Sequence, residues 1–255
     1  MLSFTYLRIL LAMVVFFMVS GRLQGLLLPR PLWPPLLRAG LAQTMFQLLL
    51  IAGLQRTTAG NGAILLATAP LLTASWLAIT GRERLHGRQW SGLVLGFIGV
   101  GFVVQSSGMR VTWSQLGGDL LALGTAGAWA WYSLVIGPLV GTLGTVRATG
   151  WTMVVAVLCC TPLALVEMRD YAWRSVSWGA WTGLVYGATI GMVMAMALWG
   201  RSIHRLGPKQ TMIYVYLEPV SAVVIAAAVL GESLRPIQAV GALLTFVGVA
   251  LASSH

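Results

Sequence analysis

Charge is what this chain has least of. Asp, Glu, Lys and Arg make up only 9% of its 255 residues and hydrophobic residues 58%, where a soluble domain would be about 25% charged. That excludes a water-soluble globular domain. Only six residues are acidic, so paired-carboxylate chemistry has little to draw on. The two cysteines, Cys159 and Cys160, are neighbours inside an apolar run and imply neither a disulfide framework nor a metal site. His86 and His204 sit in basic connectors and His255 ends the chain, so no ligand cluster forms. There is no H-E-x-x-H, no P-loop, no Ser/His/Asp constellation and no pair of intramembrane aspartates. Gly96-Phe-Ile-Gly99-Val-Gly101 is glycine-rich but follows no strand, which rules out a dinucleotide loop. Neither an enzyme, a cofactor nor a metal is expected. The 16 basic residues give a net charge of +10, yet they are scattered among apolar stretches without a basic run. Nucleic acid is therefore excluded as a partner.

What the chain does have is apolar length. Windows near the roughly 20 residues needed to cross a bilayer recur along it. Nine spans are expected: 4–21, 36–55, 58–80, 88–106, 116–138, 147–166, 178–199, 208–230 and 235–253. They must be helices, because in lipid each backbone group has to be bonded internally and these runs lack the alternation of barrel strands. The fold class is an all-α polytopic membrane protein without a soluble domain. The span from Phe4 lacks the charged leader of a signal peptide and reads as a retained helix. Connectors 22–38, 81–88, 139–147 and 200–209 carry ten Lys and Arg, against six on the other side. The richer side is expected to be cytoplasmic, placing the C-terminus inside and Met1 outside, in the cell (inner) membrane.

The chain also repeats itself. Pro70, Glu83, Leu85, Gln89, Gly92, Phe97, Gly99 and Val100 recur 149 positions later as Pro219, Glu232, Leu234, Gln238, Gly241, Phe246, Gly248 and Val249. One offset without a gap argues for a duplicated unit. It pairs every span except 116–138, so a five-helix unit is expected and nine of ten helices are present, with the first missing. Residues 1–106 form the first half-repeat and 107–255 the complete second one. An odd unit inverts between copies, as in many secondary transporters.

The motifs Gly53-Leu-Gln-Arg-Thr57-Thr-Ala59-Gly-Asn-Gly-Ala63, Ala69-Pro70 and Gly81-Arg-Glu83 resemble those of the EamA-type drug/metabolite transporters. So do Leu206-Gly-Pro208-Lys-Gln-Thr-Met-Ile-Tyr214-Val-Tyr-Leu-Glu-Pro219 and Leu230-Gly-Glu232-Ser-Leu234, and Tyr6-Leu-Arg8-Ile-Leu-Leu-Ala12 is similar to that family's second helix. The resemblance covers essentially the whole chain. It implies ten helices in two inverted halves around a central midplane cavity, cytoplasmic termini, and export or exchange of a small amphipathic metabolite or drug-like compound. The missing first helix departs from the pattern. A non-transporting membrane partner or regulatory remnant is the alternative.

Candidate residues follow from depth within the spans. Glu218 lies inside 208–230 and has no acidic counterpart at Ala69. A charge there is expensive and marks a function by default. It could couple protons or balance a cationic or zwitterionic substrate, or be a protonated acid bonded to a neighbour. Pro219 and Pro70 free a carbonyl and bend their helices, for a substrate site or for packing alone. Tyr214, one turn before Glu218, and the internal rings Trp129, Tyr132 and Tyr186 could stack on a ligand or simply pack. Gln43 and Gln47 share a helix face and, with Asn61, could line a cavity or bond across helices. Arg8 is an entrance candidate that could screen substrates or snorkel to the interface. Asp119, near the start of its span, reads as structural. Gly183, Gly187 and Gly191 recur every four residues, like Gly92 and Gly96, and suit close helix packing. Expected partners are a small-molecule substrate, with or without proton coupling, and the lipid bilayer, and a homo-oligomer is compatible.

Overall fold

A computed structural model describes residues 2–20, 28–105, 116–169, 171, 173, 176–230 and 235–254. The Gly231–Leu234 motif with Glu232 lies outside the described residues, as do Arg110, Asp170 and Arg174. Helices α1 (Leu2–Val19), α2 (Trp33–Leu54), α3 (Ala59–Leu66), α4 (Ala69–Ile79) and α5 (Gly87–Gln105) come first. Then follow α6 (Leu116–Val135), α7 (Gly137–Leu143), α8 (Thr145–Arg169) and α9 (Trp178–Tyr186), with a π-helical segment over Gly187–Met194. The chain continues through α10 (Ala195–Ile213), a 3-10 turn at Tyr214–Tyr216, α11 (Leu217–Leu230) and α12 (Pro236–Ser253). No strand occurs among the described residues.

Among the described residues, seven stretches are long and apolar enough to cross a membrane, or eight if the bent pair α6 and α7 forms one span. An 18-residue helix such as α1 is about 27 Å long, close to the hydrocarbon thickness of a bilayer. The single run Trp178–Val229 has 52 residues and would be about 78 Å long as one helix. It is interrupted at Gly207, whose φ of 81° and ψ of 165° are non-helical. The chain is an integral membrane protein.

Two compact units result, and neither coincides with a sequence half. The first comprises Met1–Ile51 and Trp131–Gly207, the second Ala52–Ala130 and Pro208–His255.

In the first unit α1 packs antiparallel against α8. Ile9, Ala12 and Phe16 are buried, as are Met153, Ala156, Cys160 and Ala164 of α8. The pairing is pinned near one end by Glu167, which accepts from the Ser3 backbone at 3.3 Å and its hydroxyl at 3.0 Å. Tyr6 and Thr161 share a hydroxyl contact of 3.1 Å. Small residues set the approach, since lipid gives apolar helices no hydrophobic reason to associate and close packing must do it. Gly40 of α2 lies under Val155, whose side chain occupies the space a methyl group would need.

In the second unit the corresponding seam joins α5 to α12, and its glycines are reciprocal. A Cβ on Gly99 would sit 2.7 Å from the Gly241 carbonyl oxygen, and one on Gly241 would sit 2.7 Å from that of Gly99. Gly92 and Gly248 stand in the same relation at 2.8 Å each way. Backbone meets backbone at both points, so no side chain fits. Gln89 extends the antiparallel pairing by donating to the Ser254 carbonyl at 3.0 Å. Tyr216 fills the space over Gly96 and donates its hydroxyl to the Leu93 carbonyl at 3.0 Å. With Leu93, Val100, Ile213 and Val249 it forms this unit's core.

Candidate functional site

Polar residues in an apolar protein separate into those with partners and those without, and the second class is where chemistry can occur. The second unit shows both kinds. Thr58 caps α3 by accepting from the Asn61 backbone at 3.1 Å. The Asn61 amide donates to both Asp119 oxygens, at 3.2 and 3.3 Å, and the Thr57 hydroxyl donates to the same carboxylate. Asp119 lies in the first turn of α6, where the helix dipole favours a negative charge. Asn61 therefore ties α3 to α6. Glu83 likewise meets Lys209 at 2.7 Å.

The span expected over 58–80 is broken. α3 ends at Leu66 and α4 begins at Ala69, with Pro70 in its first turn, where the missing N–H costs nothing. The Thr68 hydroxyl donates to the Leu65 carbonyl at 2.6 Å, satisfying one group at the break. At the matching register α10 gives way to the 3-10 turn Tyr214–Tyr216, and α11 opens with Leu217, Glu218 and Pro219. The break changes the setting of Glu218. It stands in the first turn of α11, directly after the 3-10 turn, rather than in the middle of a regular helix. Tyr214 and Glu218 are both exposed while Val215 and Tyr216 between them are buried, so they share the unit's open face. The Glu218 carboxylate has no hydrogen-bond or ion-pair partner among the described residues. Trp129, in the same unit, is half-buried.

The first unit holds Arg8, Gln43, Gln47, Tyr132 and Tyr186. Arg8 does not turn outward to the interface. Its Nη2 donates to Gln47 Oε1 at 3.2 Å, and its buried Nε has no partner among the described residues. Gln43, one turn before Gln47 on α2, is completely buried at 0% exposure, and neither its Oε1 nor its Nε2 has a partner among the described residues. The Arg8 stem lies over Gly187, 3.7 Å from where a Cβ would be, at the start of the π-helical segment. Such segments are rare and frequent at functional sites. Arg8, Gln47 and Gly187 are thus brought together, with Gln43 a turn away on the Gln47 face. Tyr132 is 1% exposed and belongs to the core, whereas Tyr186 is 62% exposed.

Some of this escapes sequence reasoning. Nothing in the residue pattern signals the π-helical segment or the core role of Tyr216. The glycine spacing misleads in one place. Gly92 and Gly96 do pack closely, but a Cβ on Gly183 would meet nothing within 4 Å and one on Gly191 only the Tyr186 carbonyl of its own helix. Equal spacing defines a face without saying what covers it.

The profile of the EamA-like transporter family matches residues 1–105 and 116–254. Among curated proteins the chain is 28% identical over 210 residues to the uncharacterized transporter YyaM of Bacillus subtilis, covering 82% of this chain and 68% of that one. It is 26% identical over 207 residues to a protein of Streptantibioticus cattleyicolor named "Probable terminal-alkyne amino-acid exporter", covering 81% and 68%. The fold is similar to that of a crystal structure at 19% identity, with a TM-score of 0.79 over 99% of this chain and 87% of the other.

Proposed function

We propose, from the premise that this chain belongs to the EamA-like transporter family, that it is a secondary transporter exporting or exchanging a small amphipathic metabolite. Membership makes it a membrane transporter, which supports a transport role over an enzymatic one. Coupling and substrate are the further steps. The observation that carries them is the unpartnered Glu218 carboxylate in the first turn of α11, directly after a proline-marked break. Transporters bind substrates and coupling ions at discontinuous helices, whose ends present unsatisfied backbone groups. A carboxylate there can take up and release a proton as its surroundings alternate between wet and dry. Pro219 and Pro70 hold the breaks, and Tyr214 offers an aromatic face beside the carboxylate.

Nine helices in an inverted repeat are the architecture this mechanism uses. Dividing Trp178–Val229 at Gly207 supports that count. The seams support the inversion. α1 against α8 and α5 against α12 each join helices from opposite halves at the 149-residue offset. Exchanging the halves maps the Gly92–Gly248 contact onto Gly99–Gly241, as a two-fold axis in the membrane plane requires. The distribution of Lys and Arg supports a cytoplasmic C-terminus.

The test is flux in proteoliposomes carrying the 255-residue chain, with a labelled metabolite panel that includes amino acids, amines and planar aromatics. Saturable movement of at least one member above protein-free liposomes is expected. No movement of any member, with the protein folded and inserted, would overturn the reading in favour of a non-transporting partner.

A further inference from the structure

Arg8 is a cation inside an apolar helix, with no carboxylate within ion-pair distance among the described residues. Intramembrane arginines face cavities and are paired, because a lone charge is costly in hydrocarbon. Gln47 satisfies one of the five guanidinium N–H groups, and its neutral carbonyl does not balance the charge. Gln43 adds a second irregularity. Buried amides are almost always bonded, yet both of its polar atoms are orphaned at 0% exposure. At Arg8 and Gln43 the groups unmet among the described residues are two donors, Arg8 Nε and Gln43 Nε2, one acceptor, Gln43 Oε1, and one positive charge. Their complement is an anion with two acceptor oxygens that also carries a hydrogen-bond donor.

We infer that Arg8, Gln47 and Gln43 form a carboxylate-recognising subsite in the first unit, and that the transported molecule is a small carboxylic acid bearing an N–H or O–H donor. The inference rests on the transporter reading. Charge-assisted bonds from guanidinium to carboxylate are the strong ones, and the planar fork fits two oxygens at once. Gln47 fixes the guanidinium by holding Nη2, which leaves Nε free to bond. The stem of Arg8 rests on Gly187, so the π-helical segment supports the fork's position. A snorkelling anchor accounts for neither the bond to Gln47 nor the two orphaned atoms of Gln43.

The test uses the full chain in lipid nanodiscs and reads the thermal midpoint against neutral amino acids, their decarboxylated amines, their methyl esters and sodium chloride. At least one amino acid should raise the midpoint saturably while its amine and ester do not. Arg8→Gln should weaken that binding at least tenfold, the loss of a charge-assisted contact, and Arg8→Lys should fall between, since it keeps the charge but loses the fork. Gln43→Leu should also weaken binding while leaving the ligand-free midpoint at or above that of the parent, because it deletes an unsatisfied amide. Equal shifts by acids and amines, or a shift unchanged by Arg8→Gln, overturn the subsite. So does the absence of any shift. A chloride shift equal to that of the acids makes this an inorganic-anion site and overturns the carboxylate assignment. Paired flux measurements separate the two readings. Arg8-dependent binding without flux keeps the subsite and removes the transporter, whereas flux indifferent to Arg8 does the reverse.

Discussion

The two compact units use their polar residues differently. The second directs most of them inward to partners: Asp119 to Asn61 and Thr57, Gln89 to the Ser254 carbonyl, Tyr216 to Leu93, Lys209 to Glu83. The Glu218 carboxylate has no such partner among the described residues. The first leaves a buried amide and part of a guanidinium unmet among the described residues, and the Arg8 stem lies beside a stretch of irregular helix. Its glycines differ in the same way. The seam glycines Gly92, Gly99, Gly241 and Gly248 are closed by backbone, while a Cβ on Gly183 of the first unit would meet nothing within 4 Å. Satisfied polar groups and closed glycines hold a fold together, and unsatisfied ones in a membrane mark where a ligand can complete the bonding.

Substitution at the α5–α12 seam should cost the most. Gly99→Val should force α5 from α12, because its Cβ would lie 2.7 Å from the Gly241 carbonyl and backbone cannot yield as a side chain does. A loss of about 3 kcal/mol or more is expected, at the upper end for overpacking, read by denaturant titration in detergent micelles. Asp119→Ala removes the acceptor shared by Thr57 and Asn61. Its expected effect is smaller, about 1–3 kcal/mol, the cost of unmet buried groups, and the same titration checks it. Gly183→Ala sharpens the contrast from the other side. With nothing within 4 Å of the new methyl group, a gain of roughly 0.5–1 kcal/mol from helix propensity is expected. A loss there would mean that this glycine face is covered after all.

Much of the fold was legible because membrane helices announce themselves by apolar length, and the proline pair at 70 and 219 marked both breaks. What those breaks do was not legible. Read along the sequence, Glu218 is a mid-span charge, and only the 3-10 turn before it makes it a first-turn residue. Depth alone suggested that Arg8 would reach for the interface. Its bond to Gln47 depends on where α2 lies, which no local pattern encodes. Asn61 and Gln43 look alike as amides in apolar spans, yet one meets a carboxylate and the other meets no partner among the described residues. Spacing assigns a residue to a face, and the partner across that face belongs to tertiary structure.

The most direct measurement of the central claim compares the parent chain with Glu218→Gln in proteoliposomes, following one transported metabolite with and without an imposed proton gradient. The parent is expected to concentrate substrate when the gradient is present. The variant should retain substrate exchange at equal expression and lose all response to the gradient. A variant that still concentrates substrate as the parent does would contradict the account, because the carboxylate in the first turn of α11 would then play no part in coupling.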